Sequence, residues 1–203
     1  DHGDDFDQAM RAIRAGFTSV MLDKSSAPFE ENVRETKEVV HAAHIVGVSV
    51  EAELGCVGFG QKNDGENIDS FTKPEDVEKF IHATGADCLA IAIGTAHGHY
   101  KGTPKIDFER LDAIRSVTSV PLVLHGGSST GEENLKKAVR HGISKVNIGT
   151  DLSDAAKGNI IDFLSDHDPH QRGVYGKMLT AGMQGYGDKL EEYMILFGSA
   201  GQW

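Results

Sequence analysis

Five short apolar runs, each followed by an amphipathic segment, constrain this chain more than any other feature. Residues 18–23, 48–55, 88–93, 121–125 and 145–148 are rich in Val, Ile and Leu and have strand length. Helical patterns follow them at 28–46, from 73 to near 85, at 107–117, 131–141 and 151–165, and a last one spans 175–196. One more helix, 6–15, precedes the first run, with Phe6, Met10 and Ile13 on one face and Gly16 closing it. Strands that alternate with helices form a parallel sheet, because a parallel connection needs a crossover long enough to hold a helix. Helix punctuation agrees. Pro28 opens the second helix and Gly47 closes it, with Val33, Thr36, Val40 and Ala43 facing inward, and Thr72 is the expected N-cap of the third. Residues 56–71, rich in glycine and asparagine, form a long loop of the kind that serves as a lid or binding loop.

Polar residues gather where the strands end. His97 follows the run 90–95, His125 follows 121–124, Asp23 and Glu53 close two other strands, and Asn147 lies in the last. His2, beside Gly3, has the same glycine-flanked setting and reads as the end of a sixth strand. In a closed (β/α)8 barrel these ends form one ring around one pocket. In an open doubly wound sheet they would be strung along an edge. The expected fold is therefore α/β, a TIM barrel formed as one partial domain over residues 1–203. A barrel of about 250 residues would place two strands and most of a third upstream, so sequence before Asp1 is expected.

Three imidazoles at strand ends can converge on one zinc and leave a coordination position open. Glu51 and Glu53, two apart on a strand, point to the same side of the sheet. Glu51 reads equally as an interior residue paired to a lysine. Asp1 and Asp23 taken alone also read as capping or solvated carboxylates, and Gly126-Gly127 as a simple turn. His99 reads as a loop bystander. The net charge of −11, with no basic block, argues against nucleic acid and anionic membrane as partners. No 18-residue apolar run occurs, and the expected location is the cytoplasm. Cys56 and Cys88 have no metal or disulfide spacing and read as buried thiols.

Taken in order, Asp1-His2-Gly3, Met21-Leu22-Asp23, Glu51-Ala52-Glu53-Leu54-Gly55, Gly94-Thr95-Ala96-His97-Gly98, Leu124-His125-Gly126-Gly127-Ser128, Asn147-Ile148-Gly149-Thr150-Asp151 and Phe197-Gly198-Ser199-Ala200 resemble the class II, zinc-dependent ketose-bisphosphate aldolases, a group that includes the fructose- and tagatose-bisphosphate aldolases. The resemblance implies that His2, His97 and His125 bind the catalytic zinc and that Asp1 is the general acid/base. It associates Asp23 and Glu53 with a second or alternative cation. It implies a phosphate cradle at Gly98, Gly126, Ser128, Gly149 and Thr150, and a substrate contact at Asn147. The implied activity is cleavage or formation of a ketose 1-phosphate or 1,6-bisphosphate, with dihydroxyacetone phosphate as one product, by a homodimer or homotetramer. A zinc hydrolase on the same barrel, and a non-catalytic sugar-phosphate-binding relative, are the readings from other classes.

Two departures bear on substrate. The loop Gly58-Phe59-Gly60-Gln61-Lys62-Asn63-Asp64-Gly65-Glu66 lacks a glutamate where the family exchanges a proton on carbon three, which leaves Asp64 or Glu66 as substitutes. The segment 177–183 lacks the arginine that grips a distal phosphate, and neither Lys177 nor Arg172 matches its position. That segment resembles the aldolases of inositol breakdown. The alternative substrate is therefore monophosphorylated, such as the inositol-catabolic keto-deoxygluconate phosphate or sulfofructose phosphate.

Overall fold

A computed structural model describes residues 1–59, 68–100 and 102–202. Its strands are β1 (Ser19–Leu22), β2 (Ser49–Leu54), β3 (Gly58–Phe59), β4 (Cys88–Ile91), β5 (Ala96–His97), β6 (Leu122–Leu124) and β7 (Ile143–Val146). Its helices are α1 (Phe6–Arg14), α2 (Phe29–Ile45), α3 (Pro74–Thr84), α4 (Phe108–Val117), α5 (Glu132–Arg140), α6 (Thr150–Ser165) and α7 (Val174–Leu196). Five strands form one parallel sheet in the order β1-β2-β4-β6-β7. Gly3 adds a parallel bridge to Leu22 on the outer side of β1, where a sixth strand end was expected.

This order follows the sequence without a reversal. A doubly wound sheet needs a point at which strand order turns back. Right-handed crossovers in unbroken succession carry every helix to the same face, and that is the arrangement of a barrel wall. The strand residues divide accordingly. Leu22, Ala52, Leu89, Leu122 and Ile143 pair in one row across all five strands. They join the main core with Val39, Val77, Phe80, Leu111, Ile114 and Leu135 from the helices. The alternate positions carry Met21, Ala90 and Val123, a small separate cluster. On the same inner face stand Glu51, opposite Met21 and Cys88, and Lys145, opposite Val123.

Several local expectations shift. Thr72 does not cap α3, whose N-cap is Lys73 without a side-chain hydrogen bond. The Thr72 hydroxyl is buried between strand ends, donating to the Leu54 carbonyl and accepting from the Ala92 amide at 2.8 Å. The last strand lies at 143–146 and not 145–148, pairing Ile143 with Leu122 and Val146 with Leu124, and a register shift between Leu122 and Val123 sets Lys145 opposite Val123. The expected loop 56–71 contains β3, which pairs in parallel with β5. Both cysteines are half-buried and not fully buried, and burial pushes the Cys88 thiol up to about 12.

Thr72→Val keeps the shape but leaves the Ala92 N–H and Leu54 C=O without their hydroxyl partner. The expected loss is about 3 kcal/mol, read as a lowered urea midpoint at unchanged m-value.

Candidate metal and substrate site

Three histidines from distant parts of the chain meet at the C-terminal edge of the sheet. His97 ends β5, His125 directly follows β6, and His2 precedes the residue that bridges to β1. Their ligand nitrogens lie within 4.8 Å of one another. His2 Nε2 and His125 Nδ1 are 2.8 Å apart, and the His97 ring centroid is 4.8 Å from that of His2. Burial, with His2 and His125 alongside, pushes His97 down to about 4, so at neutral pH it is an imidazole with a lone pair to give. His2 has a positive φ of 48°, a conformation that non-glycine residues seldom adopt outside constrained sites.

The other ring nitrogen of His2 is also engaged. Nδ1 lies 2.8 Å from Asp23 Oδ2 and 3.9 Å from Glu53 Oε2. The hydrogen bond to Asp23 raises the His2 pKa, helped by the Glu53 charge and opposed by burial. Burial works to raise Asp23, but hydrogen bonds from His2 and Ser25 outweigh it and hold the carboxyl at about 2. Burial and the Asp23 charge raise Glu53. Glu53 Oε2 is buried with no hydrogen-bond partner among the described residues. An orphaned buried carboxylate oxygen beside a histidine and an aspartate is what a cation site leaves behind. His2, Asp23 and Glu53 form a second group whose ligand atoms lie within 4.8 Å of one another. The residues present therefore fit a metal ion at the three histidines and a second cation behind His2.

Glu51 is not in either group. Its Oε1 lies 2.7 Å from His125 Nε2 and its Oε2 accepts from Lys145 Nζ at 2.7 Å. Burial works to raise Glu51, yet the hydrogen bonds from His125 and Lys145 bring it down to about 2. Lys145 was not singled out from sequence. The inward parity of β7, two residues before Asn147, was the signal that could have found it.

A cavity of about 530 Å3 opens over the histidines, and all the predicted site residues except Asp23 and Glu53 line it. Asp1 Oδ1 accepts from Asn147 Nδ2 at 3.0 Å and lies 4.0 Å from His125 Nδ1. With its side chain 64% exposed, Asp1 faces the open cavity. The wall of the same cavity also carries Gly98, Gly126, Ser128, Gly149 and Thr150. Gly126 holds φ at 67°, and a Cβ there would lie 2.3 Å from the Ala96 carbonyl oxygen. Only glycine lets the loop after β6 approach the backbone of β5 so closely. Ser128 Oγ accepts from the Gly149 and Asp151 amides, each at 3.2 Å, at the N-terminus of α6. A phosphate bound there would therefore share these donors with Ser128.

Sequence reasoning missed the braces of this wall. The Tyr100 hydroxyl accepts from the Ala96 amide at 2.6 Å and donates to the Gly126 carbonyl at 2.9 Å. Asp151 accepts from the Ser129 amide at 2.8 Å and from the Ser129 and Tyr193 hydroxyls. His99 turns away to Asp154 on α6 at 3.1 Å. Lys177 and Arg172 are exposed and do not line the cavity. Asp64 and Glu66 lie outside the described residues.

The family model for class II fructose-bisphosphate aldolase matches residues 1–202. The fructose-bisphosphate aldolase of Geobacillus stearothermophilus is 44% identical over 206 residues, which cover 100% of this chain and 70% of that protein. The fructose-bisphosphate aldolase of Staphylococcus aureus strain Mu50 is 45% identical over 168 residues, 82% of this chain and 58% of that protein. Among solved structures, the YdjI aldolase from Escherichia coli K12 superposes with a TM-score of 0.84 at 35% identity, covering 100% of this chain and 69% of its own. The chain thus spans between 58% and 70% of the length of these relatives.

Burial works to raise Asp151, but the hydrogen bonds from Tyr193 and Ser129 outweigh it and lower its pKa. Its contribution to stability is therefore complete above the ordinary aspartate range of about 4 and fades as pH falls below it. Asp151→Asn should cost about 1 kcal/mol at pH 7 and progressively less as pH falls below the ordinary aspartate range, as read from urea titrations at a series of pH values.

Proposed function

Because the chain belongs to the class II fructose-bisphosphate aldolase family, a family of carbon–carbon lyases, we propose that it cleaves and forms a ketose 1-phosphate or 1,6-bisphosphate, with dihydroxyacetone phosphate as one product. The observation that carries this reading is the convergence of His2, His97 and His125 beneath the cavity that Asp1 and the glycine loops line.

Zinc is the proposed metal, held by the three imidazoles, where it would supply a Lewis acid for the charge left when the carbon–carbon bond breaks. The remaining work falls to this chain's own groups. Asp1 takes the proton from the substrate's 4-hydroxyl as the bond breaks and returns it in the reverse direction. The Asn147 amide, hydrogen-bonded to Asp1 Oδ1, fixes where that carboxylate points and presents a donor to the substrate. Gly98, Gly126, Ser128, Gly149 and Thr150 of the cavity wall receive the phosphate, aided by the positive end of α6. Asp23 and Glu53 orient His2 and offer the second cation its ligands.

The reading extends to one barrel domain over residues 1–203, a cytoplasmic location and a homodimer or homotetramer. The exposed apolar side chains Tyr175, Leu179 and Met183 on α7 support association of copies. A monophosphorylated substrate is the second reading within the same chemistry. It is favoured by the absence of arginine from 177–183 and of Lys177 and Arg172 from the cavity wall.

The test is triose phosphate release from fructose 1,6-bisphosphate, tagatose 1,6-bisphosphate, sulfofructose phosphate and the keto-deoxygluconate phosphate. Chelation should abolish turnover and zinc should restore it. His97→Ala should lower kcat/KM by about a thousandfold, equivalent to about 4 kcal/mol of transition-state stabilisation. Activity that survives chelation would refute the metal reading. Tight binding without turnover of any of the four would select a non-catalytic binding protein.

A further inference from the structure

We propose that Glu51, anchored by Lys145, is a positioning residue that holds His125 with Nδ1, and not Nε2, turned toward the other two histidines. The inference rests on the three-histidine centre of the proposed function and assigns how one of its members is aimed.

The argument starts from parity. Glu51 and Glu53 lie two residues apart on β2 and share the inner face of the sheet, yet they serve different histidines. Glu53 stands 3.9 Å from His2 Nδ1, whereas Glu51 reaches His125 Nε2 at 2.7 Å. A carboxylate only accepts hydrogen bonds, so the nitrogen that meets Glu51 carries the proton. A neutral imidazole then has its lone pair on the opposite nitrogen, Nδ1. That nitrogen is the one 2.8 Å from His2 Nε2.

Lys145 completes the arrangement. Glu51 is 3% exposed, and a carboxylate so placed needs a countercharge. The Lys145 ammonium binds Oε2 at 2.7 Å, which leaves Oε1 to His125 and fixes the carboxylate plane. Lys145 is also two residues before Asn147, which touches Asp1, so β7 serves both the imidazole and the acid beside it. Glu51 is thus an orienting group behind a ligand and not a ligand, since its Oε1 meets the nitrogen that faces away from the centre and its Oε2 is taken by Lys145.

Zinc affinity of the full chain, measured by competition with a chromophoric chelator, tests the proposal without recourse to activity. Glu51→Gln preserves volume and should raise the zinc dissociation constant by about 10- to 100-fold while far-UV circular dichroism stays unchanged. The visible spectrum of the cobalt-loaded variant should shift, reporting a reoriented imidazole. Lys145→Met should weaken zinc in the same direction and Lys145→Arg should not, and this pair carries the test should Glu51→Gln fail to fold. Wild-type zinc affinity in folded Glu51→Gln, or in Lys145→Met, overturns the proposal. His125→Ala separates the levels. If it loses zinc while Glu51→Gln does not, only the positioning role falls. If it binds zinc as the wild type does, the three-histidine centre falls and the positioning role with it.

Discussion

Everything at the site depends on the two-residue period of a β-strand. Successive side chains of a strand point to opposite faces, so one parallel sheet can be oily toward its helices and polar toward its interior. Leu22, Ala52, Leu89 and Leu122 lie on the helix side, and their neighbours in sequence supply the inner face. A one-residue slip of β2 would turn Glu51 and Glu53 into the apolar core and expose Val50 and Leu54. The same pairing that buries the core therefore aims the carboxylates.

The inner face in turn has an electrostatic problem to solve. Glu51, Glu53 and Asp23 crowd one edge, and burial penalises each of them. Glu51 is relieved by a lysine and an imidazole, and Asp23 by an imidazole and a serine. Among the described residues Glu53 accepts a hydrogen bond from the Val57 amide on Oε1, and His2 Nδ1 stands 3.9 Å from its Oε2. Uneven compensation separates Glu51, which is paired to a lysine, from Asp23 and Glu53, which share one cluster with His2, and composition alone could not have sorted them.

Much of this was legible in the amino-acid sequence. The alternation of apolar runs and amphipathic segments was enough for the parallel order, and glycine after a strand end marked His97 and His125. Glu51 was readable only as an ambiguity between ligand and lysine partner, because its outcome depends on which residue of β7 shares its face. The register shift at Leu122/Val123 decides that, and no local pattern announces it. Tyr193 and Asp151, 42 residues apart, meet only because α7 folds back along α6. Thr72 looked like a cap because it precedes Lys-Pro-Glu, but the buried amide of Ala92 competes for the same hydroxyl and wins. Such failures share a cause: a polar side chain with two possible partners chooses the one that water cannot replace.

The close approach of Gly126 to Ala96 has a consequence for substitution. Two histidine-bearing segments there meet main chain against main chain, with Tyr100 stitched to both. Spacing set by backbone atoms is indifferent to which side chains surround it. Side chains of the outer wall and the rim can therefore be exchanged while the gap between His97 and His125 keeps its width.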